Sequence, residues 1–142
     1  MKTSAKQGGF TLIELVVVIT ILGILAAFAV PRFASLEIQA RTTATQALGG
    51  GVRSGAALAH ALWLAQGQPP TVKMDNIDVA MTLGYPTAVS IETTLSDATG
   101  FAFAAGAWTK TGATNAATCS VTYTAPVAAN AAPTIAVATG GC

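Results

Sequence analysis

The feature that most constrains this chain is an apolar run at residues 10–30, FTLIELVVVITILGILAAFAV, in which Glu14 is the only charged side chain. As a helix with a rise of about 1.5 Å per residue, this run spans roughly 31 Å, and a bilayer has a hydrocarbon core of roughly 30 Å. Lys2 and Lys6 precede the run, and basic residues on one flank keep that flank cytoplasmic. We therefore expect one membrane span, with residues 31–142 translocated.

Two ordinary explanations of this N-terminus are alternatives. A secretory signal peptide would be cleaved after Ala29, at the small-x-small site that begins at Ala27, but its apolar stretch is usually only about 7–15 residues long. A plain membrane anchor accounts for the length of the run but gives no reason for Glu14. A carboxylate in hydrocarbon is costly unless it is partnered, so we expect Glu14 to have a partner.

The residues around Glu14 carry a family resemblance. The segment Gly8-Gly9-Phe10-Thr11-Leu12-Ile13-Glu14 follows a short basic stretch and begins an apolar helix that contains Pro31. This arrangement resembles the class III leader of type IV pilins and the related pseudopilins. The resemblance implies that residues 1–9 are a leader peptide, cut off between Gly9 and Phe10 by a membrane-embedded prepilin peptidase. It also implies that the same enzyme methylates the new amino group of Phe10.

The resemblance further implies a structural subunit of an extracellular type IV pilus. The prepilin would span the inner membrane once, with a cytoplasmic N-terminus, and would then polymerise with other pilin subunits through residues 10–30. A separate assembly ATPase and platform proteins would drive extension, and the filament would serve attachment to surfaces or cells. We expect the Glu14 carboxylate of one subunit to neutralise the amino group of Phe10 in a neighbour, because opposite charges attract strongly in a low dielectric.

A second helical segment is predicted at residues 31–66. Apolar or small residues recur there at steps of three or four, which indicates an amphipathic helix. Pro31 lacks an N–H and is expected to kink the helix. The run Gly49-Gly50-Gly51 is either a soft spot within one helix or a true break between two. The predicted stripe consists of Phe33, Leu36, Ala40, Ala44, Ala47, Gly51, Gly55, Leu58 and Leu62.

Residues 67–142 are predicted to form a globular head. Asp75 and Asn76 are expected to cap a short helix that runs to Leu83. Short runs of aromatic and β-branched residues between turn residues indicate strands at 88–93, 101–108, 119–124 and 134–138. We expect one small antiparallel sheet packed on the amphipathic helix, an α+β architecture. Combined with the resemblance, this is the type IV pilin fold, with an apolar helix half, an amphipathic half and a C-terminal loop.

Cys119 and Cys142 are the only cysteines, and both lie on the translocated, oxidising side. An even number of cysteines there indicates a disulfide, which would bound a loop at residues 119–142. Two thiols without a nearby histidine do not make a zinc site. Pilins are similar in this respect, since many close a C-terminal loop with a disulfide and display it on the filament surface.

Within the family, the likeness is to the mannose-sensitive haemagglutinin type of pilin. It rests on Pro31-Arg-Phe, the segment from Leu36 to Arg41, the segment Gly84-Tyr85-Pro86-Thr87-Ala88, and Cys119-Ser-Val-Thr-Tyr-Thr. A pseudopilin of a type II secretion system remains the alternative, because the leader and helix do not separate the two classes. The absence of acidic residues after Asp97 favours a pilin, since major pseudopilins typically have a calcium-binding loop near the C-terminus.

No catalytic residue, metal or cofactor is expected. His60, the only histidine, is interpreted as a surface or subunit-interface residue. Asp75 and Asp78 supply too few oxygen ligands for calcium. Trp63 and Trp108 are interpreted as core residues packed between helix and sheet, with a carbohydrate-stacking pair as the alternative. Only 9% of residues are charged and no basic cluster is present, so nucleic-acid binding has no support.

Overall fold

The computed structural model describes residues 9–142, so Lys2, Lys6 and the rest of the predicted leader up to residue 8 lie outside the described residues. Within that range, one long helix precedes two small antiparallel sheets. The elements are α1 (Leu12–Ala65), β1 (Thr71–Met74), β2 (Ile77–Thr82), β3 (Tyr85–Pro86), a 3₁₀ turn (Ser90–Thr94), β4 (Phe101–Ala104), β5 (Ala107–Lys110), a second 3₁₀ turn (Ala116–Thr118), β6 (Ser120–Thr124) and β7 (Thr134–Ala138). The fold is that of type IV pilins, with a long N-terminal helix, antiparallel sheets and a C-terminal disulfide.

The chain divides into two compact units. The described part of the first unit is residues 9–37, which contain the apolar half of α1. The second unit, Ile38–Cys142, contains the rest of α1 and both sheets.

Helix α1 ends in a Schellman motif, where the N–H groups of Gly67 and Gln68 donate to the carbonyls of Leu64 (3.4 Å) and Trp63 (2.9 Å). Gly67 takes the positive φ that this ending requires, 79°.

The first sheet has the order β1-β2-β3. Met74 pairs with Ile77, so Asp75 and Asn76 form a two-residue hairpin turn with φ values of 46° and 68°. The helix predicted from Asp75 to Leu83 is therefore wrong. Asp and Asn tolerate left-handed backbone, and residues 77–82 alternate between apolar and polar or small side chains, which is a strand period.

The second sheet is a meander with the order β4-β5-β6-β7. The strand predicted at 101–108 is wrong, because Ala105 and Gly106 (φ 46° and 89°) turn the chain between β4 and β5. The strand predicted at 88–93 is also wrong. Ser90 begins a 3₁₀ turn there, and its backbone N–H donates to the hydroxyl of Thr87 at 3.1 Å. The predictions at 119–124 and 134–138 correspond to β6 and β7.

Two hydrophobic clusters lie along the second half of α1. In the larger one, Leu48, Val52 and Ala56 of α1 pack with Trp108 and Tyr123 of the four-stranded sheet, all of them buried. In the smaller cluster, Ala59 of α1 packs with the buried Val72 and Val79 of the three-stranded sheet. The partly buried residues around them are Leu62 and Trp63 of α1 and Met74 and Met81 of the sheet. Two sheets therefore pack on the helix where one was predicted.

One buried hydrogen bond links the two sheets. The Tyr123 hydroxyl donates to the carbonyl of Pro86 at 2.7 Å, from β6 to β3. Burial, and secondarily Tyr85, raises the pKa of Tyr123 well above its ordinary value. The phenol therefore stays protonated and keeps donating.

The buried face of α1 differs from the predicted stripe. The buried residues are Thr45, Leu48, Gly49, Val52, Gly55, Ala56 and Ala59. Most of them lie one position after a predicted residue, and one residue turns the helix by about 100°. Alanine and glycine make both faces look apolar in the sequence, whereas the structure buries the larger Leu48 and Val52 and leaves Leu58 exposed.

Helix α1 runs through Gly49, Gly50 and Gly51 without a break. A Cβ at Gly49 would lie 2.5 Å from Cγ2 of Val137, whereas a Cβ at Gly50 would meet no atom within 4 Å. Gly49 is therefore the glycine of the run that allows β7 to approach the helix closely.

Candidate functional site

The apolar half of α1 is a surface without a partner inside the described chain. Its most apolar stretch of 18 residues has a mean hydropathy of 2.8, and none of that stretch is buried. Phe10 is 87% exposed and Phe28 is 75% exposed. By length and composition, α1 is the one helix of residues 9–142 that is able to cross a membrane. Burying such a surface requires either lipid or other protein chains.

Glu14 forms a capping box with Thr11 at the start of this surface. Glu14 Oε2 accepts hydrogen bonds from the backbone N–H (2.8 Å) and the hydroxyl (2.7 Å) of Thr11. In return, the Thr11 hydroxyl accepts from the N–H of Glu14 at 3.3 Å. The arrangement satisfies N–H groups that a helix start otherwise leaves unpaired.

The sequence analysis missed this local partner of Glu14. The spacing Thr11-x-x-Glu14 is the capping-box pattern and was sufficient to find it. Glu14 remains exposed in this arrangement. Its carboxylate has remaining acceptor positions, because an ionised carboxylate offers about four lone-pair sites.

The disulfide joins the residue before β6 to the last residue of the sequence and lies against α1. Cys119 and Cys142 are bonded, with a Cα–Cα distance of 4.8 Å, and both are buried. The hydroxyl of Thr45, also buried, lies 3.5 Å from Sγ of Cys119 and 3.7 Å from Sγ of Cys142. Arg41 Nη1 donates to the carbonyl of Cys142 at 3.0 Å. The bridge thus holds the 119–142 loop and also rests on one turn of the helix.

The loop between β6 and β7 is exposed and uncharged. Val127 is 93% exposed, the highest value among the large apolar residues of the described chain, and prolines lie on both sides of it at 126 and 133. Loops of this kind present backbone and small apolar groups to solvent, and binding residues lie disproportionately on such loops.

A groove lies along α1 on the side of the predicted stripe. Ala44, Ala47, Gly51 and Leu58 line it together with residues 94–99, and its volume is about 560 Å³. The carboxylate of Asp97 accepts from the hydroxyl (2.5 Å) and the N–H (2.8 Å) of Thr99. These hydrogen bonds lower the pKa of Asp97.

The remaining candidate residues are placed as follows. Trp108 is fully buried, so its interpretation as a core residue is confirmed. Trp63 is partly buried, and it packs on the smaller cluster and also lines a cavity. His60 is half-buried beside Gly84 and Tyr85. Asp78 pairs with Lys73 across the β1–β2 hairpin at 3.0 Å, and both side chains are exposed. Pro31 lies inside α1, and the kink there remains a prediction.

Comparison with known proteins places the likeness at the N-terminus. Residues 4–30 match the family model described as the prokaryotic N-terminal methylation motif. The Type IV narrow pilus major component PilA5 of Thermus thermophilus is 52% identical over 54 residues, which are 38% of this chain and 47% of that protein. The Type II secretion system core protein G of Pseudomonas aeruginosa is 58% identical over 38 residues, 27% of each chain.

The chain thus spans less than half the length of these relatives. No solved structure matches it. The two relatives belong to a pilus and to a secretion system, and both align through a segment no longer than the helix region. The likeness to mannose-sensitive haemagglutinin pilins stays a prediction.

Proposed function

We propose that this chain, which carries the N-terminal methylation motif and has the type IV pilin fold, is a structural subunit of an extracellular type IV pilus. It is made as an inner-membrane prepilin with a cytoplasmic N-terminus and residues 1–9 as its leader. A prepilin peptidase cleaves between Gly9 and Phe10 and methylates Phe10. An assembly ATPase and platform proteins then polymerise the subunits through residues 10–30.

One observation carries this proposal. A capped helix begins directly after the Gly9-Phe10 junction, and its large apolar side chains have no cover within the described chain. Such a helix is suited to two successive environments, lipid before assembly and a bundle of like helices afterwards. An ordinary secreted domain, cleaved after Ala29, would discard this segment.

The capping box suggests how Glu14 changes partner. In the single chain, Thr11 supplies both hydrogen bonds that Glu14 accepts, so the carboxylate is satisfied without another subunit. Cleavage creates a positive amino group on Phe10, and in the filament that group lies near Glu14 of a neighbour. A charged donor binds a carboxylate more strongly than a neutral hydroxyl does, which favours the exchange.

The attachment role is proposed from the head. The β6–β7 loop exposes Val127 and contains no charged side chain between the two cysteines. The disulfide and Arg41 fix the opposite end of the β6–β7 hairpin, and the two paired strands carry the loop from there. A surface of this composition binds through backbone groups, amides and small apolar contacts.

A pseudopilin of a type II secretion system is the second candidate. The relative from Pseudomonas aeruginosa favours it, since the matched segment is 58% identical to a core protein of such a system. A pseudopilin would polymerise through the same helix but act within the periplasm. The two candidates therefore differ in where the filament ends and not in how it is built.

Two measurements test the proposal. The mass of the mature chain distinguishes a methylated Phe10 at the N-terminus from a chain that begins at Val30, and the second result would refute the pilin assignment. Electron microscopy of sheared fibres, with and without the gene, then separates the candidates. Long surface fibres at native expression support the pilus, whereas secretion defects without surface fibres support the pseudopilin.

A further inference from the structure

A second cavity lies at the opposite end of the head's helix from the disulfide. It has a volume of about 530 Å³ and lies between the end of α1, the β2–β3 turn and the β6–β7 loop. Pockets for small-molecule ligands have volumes of roughly 300–1,000 Å³. The cavity is formed entirely by Ile38–Cys142, so it is complete within one chain.

Three aromatic rings line this cavity. The ring of His60 stacks on Tyr85 at a centroid distance of 4.3 Å with an interplanar angle of 5°. Trp63, one turn further along α1, lies 5.7 Å from His60 at 22°. In such a stack the inner faces cover one another, so the rings offer a ligand their edges and the electron-rich outer faces at the ends of the stack.

The hydrogen bond of His60 defines the polarity of its other nitrogen. Nδ1 lies 2.6 Å from the carbonyl oxygen of Gly84. A carbonyl only accepts, so Nδ1 carries the hydrogen and Nε2 of the neutral ring is an acceptor. His60 therefore presents an acceptor that a ligand hydroxyl is able to satisfy.

Two amides complete the polar set. Gln68 and Asn130 line the cavity from two segments that are distant in sequence, the turn after α1 and the β6–β7 loop. Each amide both donates and accepts. Among the residues of the described chain that line the cavity, none is an aspartate, glutamate, lysine or arginine.

We propose that this cavity binds a neutral pyranose ring, such as the terminal residue of a glycan. A pyranose has an apolar C–H face that suits an outer aromatic face of the stack, and hydroxyls that donate to Nε2 of His60 and bond both amides. A charged ligand would find no opposite charge there. The proposal goes beyond the pilus assignment and does not depend on it, since the cavity needs no filament.

The two tryptophans provide an internal control for the test. Trp63 lines the cavity, whereas Trp108 is fully buried in the larger cluster. Full-length chain in detergent micelles is titrated with methyl β-glucoside, methyl β-galactoside and N-acetylglucosamine while the two indole N–H signals are followed by NMR. At least one sugar is expected to shift the Trp63 signal and leave the Trp108 signal unchanged.

A matched pair of variants locates the binding site. Asn130 and Asn76 both have positive φ, 63° and 68°, so glycine fits both positions. Asn130→Gly removes an amide from the cavity, and Asn76→Gly changes only the distant hairpin turn. The first variant is expected to weaken sugar binding at least about tenfold, and the second is expected to have no effect. Trp63→Leu removes one of the aromatic rings and is also expected to weaken binding.

Three results would overturn the proposal. They are an unshifted Trp63 signal with all three sugars, equal shifts of both indole signals, and equal weakening by the two asparagine variants. Thermal unfolding of each variant checks that the head remains folded. Because the titration uses unassembled chain, absence of filaments leaves the result intact, and absence of binding leaves the pilus assignment intact.

Discussion

The two units of this chain differ in whether their apolar side chains are buried. No residue of the described first unit, 9–37, is buried, although most of its side chains are apolar. The second unit buries Trp108, Tyr123 and Val52 between α1 and the four-stranded sheet. The first unit therefore depends on lipid or on other chains to cover its apolar surface, whereas the second covers its own. Changes in the first should therefore alter assembly, and changes in the second should alter stability.

The largest expected effect comes from the first unit. Glu14→Ala should leave cleavage intact but abolish or severely slow filament assembly. In the filament it would leave the amino group of a neighbour's Phe10 buried without a partner, at a cost of about 3–5 kcal/mol. Filament yield by electron microscopy, with Glu92→Ala in the head as the control, measures this. Normal yield from Glu14→Ala would remove the basis for the charge pair.

Removal of the disulfide is expected to have the next largest effect, on the stability of the second unit. Replacing Cys119 and Cys142 together by serine should lower the free energy of unfolding by about 3 kcal/mol, because the bridge constrains a loop of this length in the unfolded chain. Thermal unfolding in detergent, with and without reductant, is the measurement. Reductant should lower the stability of the native chain and leave the double variant unchanged. A native chain that is indifferent to reduction would show that packing alone holds β7.

A finer test uses two adjacent glycines of α1. Gly50→Ala should stabilise the chain by about 1 kcal/mol, since the added methyl meets open space and alanine is the better helix former. Gly49→Ala should instead destabilise it by about 1 kcal/mol, because its methyl collides with Val137. Chemical unfolding of the two variants measures the difference. Equal stabilisation by both would mean that β7 does not approach the helix at Gly49.

The smallest expected effect depends on pH. The hydrogen bonds from Thr99 lower the pKa of Asp97, so the unfolded chain binds the proton more readily. The resulting stability is present above the unfolded pKa, near 3.9, and is lost as pH falls through the lower folded value. Asp97→Asn should flatten this acid limb of the stability profile slightly. An unchanged profile would mean that the Asp97–Thr99 contact contributes nothing.

Parts of the fold were predictable because they depend on local pattern. The apolar helix, its end near Gln66, strands β6 and β7 and the bridge between Cys119 and Cys142 agree with the structure. The hairpin at Asp75 and Asn76 was missed because the same residues cap helices and form turns. The strand period of residues 77–82 was the signal that distinguishes the two.

The candidate sites divide in the same way. The Thr11–Glu14 capping box joins residues three positions apart, so its sequence pattern predicts it. The cavity at His60 and Tyr85 is not readable from it, since these rings are brought together by the packing of β3 on the end of α1. Trp63 and Trp108 illustrate the difference, because only the structure shows that one lines a cavity and the other does not.

Hydrophobicity and residue spacing are enough to predict one apolar helix near the N-terminus, Glu14 at its start, and two cysteines available for one bridge. These properties depend on hydrophobicity and spacing within a few turns. The buried face of α1 is not predictable in this way, because alanine and glycine lie on several faces and contacts with distant strands select one of them. The same contacts divide the strands into two sheets and place Thr45 against the disulfide.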